Sequence, residues 1–471
     1  MKENYKGYLP ICRSAATKRL YSLTKNSNES AAGEVAMPFL RMFAGVALAS
    51  LWCGPGFLLA QSSTGTGHQT AQPRAREVGI PFDGTPGPLN AITDVAGVEV
   101  GYKTLISGEG PLVVGKGPVR TGVTAILPRG KGGKTGVFAG FFSGNGNGDM
   151  TGTHWIEESG VLETPILITN TNSVGVVRDA AIAWLVQRNQ PGDFWYPVVA
   201  ETADWLLNDI KGQHVTAQDA LDALNRASGG PLQEGNVGGG TGMICNGFKG
   251  GTGTSSRKLD AQSGGYTVGV LLQCNYGRPP QLRIAGIPVV REMNVQQRRC
   301  VQQQLTPPTL DSDGKVAPVC GPALLSAAED PHTRDVGSII VVVATDAPLT
   351  PDQLKRLARR VPLGLGRAGA IEMNGSGDIF LAFSTANRGA DNGNSDTDAD
   401  SQHTAKDMTL QRLASRDMDP LFAAVTQATE EAVDNALIAA KTMVGPNYWV
   451  VPALPQDQLK AILRKHGVLK Q

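Results

Sequence analysis

The stretch "DVGSIIVVVATDAPLTPDQLKRLARR", residues 335–360, decides the reading of the fold. A polar approach ends at Gly337 and Ser338, and six branched or apolar residues follow without interruption. A run of that length and composition, bounded by turn residues, predicts a buried strand. Thr350 and Pro351 then supply an N-cap and a first helical residue, and Leu354, Leu357, Ala358 and Val361 fall on one helical face. A buried strand running into an amphipathic helix is the unit of an α/β protein.

The same alternation extends in both directions. "GVEVGY", "TGVTAILP", "GVFAGFF", "TPILITNT" and "YPVVAET" cluster branched and aromatic residues between glycine and proline, as strands do. "HVTAQDALDALNRASGG" carries a threonine cap at Thr216 and glycines beyond its end, and "DPLFAAVTQATEEAVDNALIAAK" opens a long helix at Asp419 whose alanine stripe permits close packing. A final helix ends at Gly467. With 471 residues, 58 glycines and a formal net charge of +1, the chain has material for one large turn-rich domain and no overall field to draw it onto nucleic acid.

The N-terminal region reads as a leader. From Met37, "MPFLRMFAGVALASLWCGPGFLLAQSS" gives a cationic start, an apolar run and a small residue at Ala60. Residues 1–60, or 37–60 if Met37 is the start, are expected to be a secretory signal. A retained anchor is the alternative, weakened by the helix-breaking Cys-Gly-Pro-Gly at 53–56. Residues 61–86 read as a linker, and the mature protein is expected to be periplasmic or secreted, without stable membrane contact. Two other segments, 293–335 and the acidic 388–407, read as long polar connections.

Four cysteines follow the leader, Cys245, Cys274, Cys300 and Cys320, with none of the close spacings of a zinc or redox site. Cys300 and Cys320 flank a Gln- and Pro-rich stretch, where a disulfide would stabilise by about 3 kcal/mol in an oxidising compartment; two free thiols are the equal alternative. Other motifs fail. "NVGGGTGM" at 236–243 lacks the capped helix of a dinucleotide site, and "RGKGGKT" at 129–135 has Pro128 where a phosphate loop needs glycine. Asp396, Asp398, Asp400 and Asp407 approach calcium-loop spacing, but Ser401 stands at the turn glycine. The six histidines include no helix-spaced pair, so neither a metal nor a cofactor is expected.

Gly337 and Ser338 admit two accounts. In one, glycine ends a linker and serine satisfies a polar group at the strand entrance. In the other, the bond between them is cut, and Ser338 becomes a chain terminus whose α-amine, with a reference pKa of roughly 7.7–8.0, can take the proton of its own hydroxyl. "NGSGDIFLAFSTANR" at 374–388 opens another apolar strand, with Ser376 and Asp378 two residues apart and on one face. They suit either a turn or a proton relay from Ser338. "LLQCNYGR" at 271–278 sets Asn275 at a strand end, where its amide can donate to an oxyanion.

From about residue 78 onward the chain resembles the self-processing aminopeptidases that include the L-aminopeptidase/D-amidase/D-esterase and the β-peptidyl aminopeptidases. The carriers are "GNGDMTGTHWIEESG" at 146–160, "ITNTNSVGVVRDA" at 168–180, "PVVAET" at 197–202, "GNVGGGTGMIC" at 235–245, "GSIIVVVATDAPL" at 337–349 and "NGSGDIFLAFSTAN" at 374–387. The resemblance implies a four-layer αββα sandwich similar to the N-terminal-nucleophile hydrolases but with different connectivity. It implies cleavage between Gly337 and Ser338, giving a large fragment (87–337 with what precedes it) and a small one (338–471). It implies Ser338 as nucleophile, Ser376 and Asp378 as its support, Asn275 in the oxyanion hole, Glu201 holding the substrate's ammonium, and a homo-oligomer of αβ units. One departure is visible: where the family often reads "ETYD", this chain reads "ETAD", and Ala203 brings no hydroxyl. The expected activity is release of small N-terminal L-, D- or β-amino acids from peptides, amides or esters through an acyl-enzyme. An acyltransferase or oligoamide hydrolase of the same fold, and a binding protein that lost turnover, are the rival readings.

Overall fold

The computed structural model describes residues 73–293, 337–389 and 409–470, all within one compact unit. The leader, Cys300, Cys320, the 293–335 connection beyond Met293 and the acidic aspartates lie outside the described residues. Among the described residues no helix is long and apolar enough to cross a membrane.

The first half of the chain runs β1 (Glu99–Ser107), β2 (Val119–Leu127), β3 (Val137–Gly146), α1 (Thr153–Ser159), β4 (Val161–Leu162), β5 (Ile166–Asn170), α2 (Val174–Gln187), β6 (Val198–Thr202) and α3 (Ala217–Arg226). Then come the short β7 (Ile244–Cys245) and β8 (Phe248–Lys249), β9 (Gly251–Lys258), β10 (Thr267–Asn275) and α4 (Val289–Glu292). After the undescribed segment the chain continues with β11 (Ser338–Thr345), α5 (Pro351–Ala358), α6 (Val361–Arg367), β12 (Gly377–Ser384), α7 (Asp419–Ala439), β13 (Met443–Val444), β14 (Val450–Val451) and α8 (Gln456–Lys465).

Two mixed sheets result, one ordered β1-β2-β5-β6 and one ordered β4-β3-β12-β11-β10-β9. Their facing sides share an apolar layer in which Ile126, Ile168 and Ala200 of the first sheet meet Leu271, Ile340, Val342 and Leu381 of the second. Helices cover the outer faces. Ala180, Ala181 and Leu185 of α2 and Ala220, Ala223 and Leu224 of α3 pack on the first sheet. Leu354 and Leu357 of α5 and Val425, Ala432 and Ala436 of α7 pack on Ile339, Val341, Leu272 and Phe380 of the second. The architecture is therefore the expected four-layer αββα sandwich. The alternation along β11 states it residue by residue, with odd positions meeting helices and even ones meeting the other sheet. Contact between α7 and β9 is close enough that a Cβ on Gly253 would fall 2.0 Å from the Ala432 carbonyl oxygen, so only glycine fits there.

Three local expectations change. The face of Leu354, Leu357, Ala358 and Val361 is buried as expected, but Val361 belongs to a second helix, because Pro362 has no N–H to continue the first. The Thr350 hydroxyl donates to Asp352 Oδ1 at 2.5 Å instead of capping the helix backbone, whereas Thr216 does cap, accepting from Asp219 N–H. The described part of 61–86 is not a free linker: Arg74 pairs with buried Glu234 at 2.7 Å, Ala75 N–H donates to Asn435 Oδ1 at 2.9 Å and Arg76 pairs with buried Glu431 at 2.8 Å.

Candidate active site

Strand pairing assembles the site at one end of the sandwich. Ser338 opens β11, a central strand, between Asn275 on antiparallel β10 and Gly377 on parallel β12. Asn275, Ser338 and Gly377 therefore form one row. Ser338 has the parity of Ile340, so its side chain faces the first sheet. There β6 ends with Glu201 and Thr202, Ala203 follows, and Gln273 of β10 bridges the sheets by donating to Thr202 Oγ1 and to the Thr169 carbonyl, at 2.8 and 3.2 Å.

The carbonyl oxygen of Gly337 is well supplied with donors. Ser338 Oγ donates to Gly337 O at 2.7 Å, and Gly377 N–H donates to the same oxygen at 3.1 Å. An oxygen held by two donors is polarised, and its carbon is the more electrophilic for it.

Asn275 is clamped at both ends of its amide, with Oδ1 accepting from Ile244 N–H at 2.8 Å and Nδ2 donating to Ala203 O at 3.0 Å. One Nδ2 proton is thereby used; the second is the candidate oxyanion donor. Ser376 Oγ donates to Asp378 Oδ1 at 2.6 Å, so the expected pair exists. It does not reach Ser338 by a hydrogen bond in the intact chain. Residues 376 and 378 flank Gly377 in the register, so their side chains turn to the helix-covered face, opposite to Ser338.

Glu201 is 4% exposed, accepts from Asp149 N–H at 3.0 Å and from the Thr171 hydroxyl, and has no cationic partner among the described residues. Burial raises its pKa above the usual carboxylate range, the nearby Asp149 adds to the rise, and the two hydrogen bonds oppose it. Gly148 links Glu201 to the row containing Ser338: a Cβ there would stand 3.2 Å from Glu201 Oε1 and 3.3 Å from the Cα of Gly377, the residue paired with Ser338. Sequence reasoning names Ser338, Ser376, Asp378, Asn275 and Glu201 as candidates, but not what holds them.

The most consequential omission is a disulfide between Cys245 and Cys274, both fully buried, which joins β7 to the end of β10 immediately before Asn275. A sequence separation of 29 gives no sign of this pair, because it conceals that the second sheet returns β10 beside β7. Lys249 was missed too. It is fully buried and donates to the carbonyls of Met243, Gly250 and Gly240 at 2.7, 2.7 and 3.3 Å, fixing the turn that carries Ile244, and burial holds its pKa well below the usual lysine value. Asp204, next to Ala203, accepts from Asn208 Nδ2 at 3.0 Å, and burial pushes its pKa up to about 7. No cluster of residues fit to hold a metal ion occurs among the described residues.

Comparison with known proteins identifies the family and the fold. The chain is 50% identical to the β-peptidyl aminopeptidase BapA of Sphingosinicella microcystinivorans over 87% of its own length and 96% of that protein. It is 45% identical to the enzyme of the same name from Sphingosinicella xenopeptidilytica, over 84% of this chain and 92% of that one. Among solved structures, a Burkholderia sp. β-aminopeptidase superposes with a TM-score of 0.70 at 42% identity, covering 85% of this chain and 100% of that one. The L-aminopeptidase D-Ala-esterase/amidase of Ochrobactrum anthropi, described as a prototype of the serine aminopeptidases and a variant of the Ntn-hydrolase fold, gives 0.70 at 43% identity with coverage of 85% and 100%. Since the model of peptidase family S58 matches residues 90–451, the chain belongs to that family and is a serine-type aminopeptidase.

Proposed function

We propose that the protein is an exported, self-cleaving aminopeptidase in which Ser338 acts first on its own chain and then on substrate. One observation carries this reading: the Gly337 carbonyl oxygen, at the head of a central strand, accepts from both Ser338 Oγ and Gly377 N–H. Ser338 Oγ adds to the Gly337 carbonyl carbon, the Gly337–Ser338 C–N bond breaks, and the acyl group passes to oxygen as an ester. Water hydrolyses the ester, leaving a Gly337 carboxylate and a free Ser338 with both α-amine and hydroxyl. Ser376 gives its proton to Asp378, so its oxygen keeps lone pairs with which to orient the new amine across the place that Gly337 vacates.

In turnover the amine takes the Oγ proton, Oγ attacks the substrate carbonyl, and the second Nδ2 proton of Asn275 meets the developing oxyanion. The departing amine leaves protonated, and water releases the acyl group. Glu201, buried without a cation among the described residues, receives the substrate's free ammonium, which restricts the enzyme to N-termini. The names of the relatives at 50% and 45% identity favour small β-amino acyl groups, with D- and L-residues as further candidates.

Export is supported by the leader and by the Cys245–Cys274 disulfide, which suits an oxidising compartment. Assembly of several αβ units is supported by an exposed apolar loop at Leu112, Val113 and Val114. The test is intact mass and N-terminal sequencing of wild type and Ser338→Ala, with turnover of β-alanyl, D-alanyl and L-alanyl p-nitroanilides. Wild type should yield a fragment beginning at Ser338 and release chromophore; Ser338→Ala should remain one chain and release none. An active continuous chain would overturn the reading, and acceleration by added amine would favour the acyltransferase.

A further inference from the structure

Behind the nucleophile, on the helix-covered face of the second sheet, lies a polar group with no assigned work. Tyr276 follows Asn275 and is 5% exposed, and its hydroxyl is buried without a well-formed hydrogen bond among the described residues. Two further buried orphan atoms, Asn246 Oδ1 and Asp434 Oδ1 of α7, belong to the same surroundings, and Asn246 N–H donates to the Tyr276 carbonyl at 2.7 Å. An unsatisfied buried hydroxyl is costly and calls for an explanation.

The register supplies one. Cys274 pairs with Ile339 and Asn275 with Ser338, and one further step sets Tyr276 opposite Gly337. In the parallel direction Ser338 pairs with Gly377 and Ile339 with Asp378, so one step back sets Gly337 opposite Ser376. Tyr276, Gly337 and Ser376 thus occupy one row, and the residue between the two hydroxyls is the glycine that precedes the expected cut. Burial raises the pKa of Tyr276, the carboxylates of Asp434 and Asp378 raise it further, and the Asn246 side chain opposes them only in part, so the phenol keeps its proton and is a donor. The pKa of Asp434 is itself raised by burial and by Glu430 and Glu431 on its own helix, and Asp378 is the carboxylate that acts on the hydroxyl from the sheet.

We propose that Tyr276 is a positioning residue whose hydroxyl closes onto the Ser376–Asp378 pair once Gly337 leaves its place between them. The orphan hydroxyl of the intact chain is then the satisfied one of the mature enzyme. The proposal rests on the reading of Ser338 as a processed nucleophile.

The test compares Tyr276→Phe in two backgrounds. In the mature enzyme it should lower kcat about tenfold with little change in KM, the loss of one hydrogen bond to a charged pair, and should move the acid limb of kcat to higher pH. Its melting temperature should fall. In the Ser338→Ala background, which keeps Gly337 in place, the same substitution should leave the melting temperature unchanged or raise it, since only an unpartnered hydroxyl is removed. Equal loss of stability in both backgrounds, or a mature Tyr276→Phe with wild-type kcat and pH profile, overturns the proposal. Ser338→Ala alone distinguishes the two levels of failure: if it is still cleaved and active, the reading of the nucleophile falls, whereas if it is inert while Tyr276→Phe behaves as wild type, only the role of Tyr276 falls.

Discussion

Replacing Glu201 by glutamine separates substrate recognition from folding, because the two respond in opposite directions. The carboxylate is 4% exposed and has no cation beside it among the described residues, so in the free enzyme its charge is desolvated and its pKa is raised. An acid whose folded pKa lies above its unfolded value is neutral in both states at low pH and costs stability as pH rises past the unfolded value of about 4.3. The Glu201→Gln substitution removes that cost. The new amide keeps an acceptor for Asp149 N–H, and the Thr171 hydroxyl can turn to accept from its N–H. The variant should therefore melt no lower than wild type at pH 8, with any gain vanishing near pH 4. Catalysis should suffer instead, since an ammonium brought to a buried site without its counter-ion forfeits about 3 kcal/mol, or about two orders of magnitude in kcat/KM. Initial rates on β-alanyl p-nitroanilide, paired with scanning calorimetry at both pH values, provide the measurement. A kcat/KM within threefold of wild type would refute the ammonium role, and a lower melting temperature at pH 8 would refute the electrostatic account of the site.

Asp204→Asn should stabilise more at pH 8 than at pH 5, since a carboxyl with its pKa raised to about 7 loses stability as pH climbs from about 4 through that value; thermal melts at the two pH values check the slope. Lys249→Met should destabilise by about 2–3 kcal/mol in urea unfolding, because the carbonyls of Gly240, Met243 and Gly250 lose a shared donor inside the core. Opening the disulfide by Cys274→Ser should lower unfolding free energy by about 3.5 kcal/mol, the closure entropy of a loop whose ends are 29 residues apart, and should also lower kcat through Asn275; guanidinium unfolding with and without reductant reports the first and steady-state rates the second.

That the chain is an α/β protein was legible because the signals are local: the apolar run after Ser338, the threonine cap at Thr216, and the glycine and proline punctuation between strands. The resemblance added the four-layer order and the role expected of Glu201. What stayed hidden depends on register and return of the chain. That Cys274 meets Cys245 follows from how β10 comes back beside β7, and no spacing encodes it. That Ser376 and Asp378 share a face was readable from their separation by two; that this face is turned away from Ser338 required knowing which residue of β12 stands opposite Ser338. Lys249 reads as one more surface lysine until three backbone oxygens enclose it.

Fresh chain ends ordinarily fray, since nothing holds them on either side. In β11 the residue that would become an N-terminus is gripped by β10 on one flank and β12 on the other, and the pairing continues on both sides to Thr345. Under the proposed cleavage, Ser338 is delivered by the middle of a sheet rather than by a dangling tip. Two fragments joined in this way would have no seam along which to part, so they should unfold together in a single transition and refuse to exchange with free fragments.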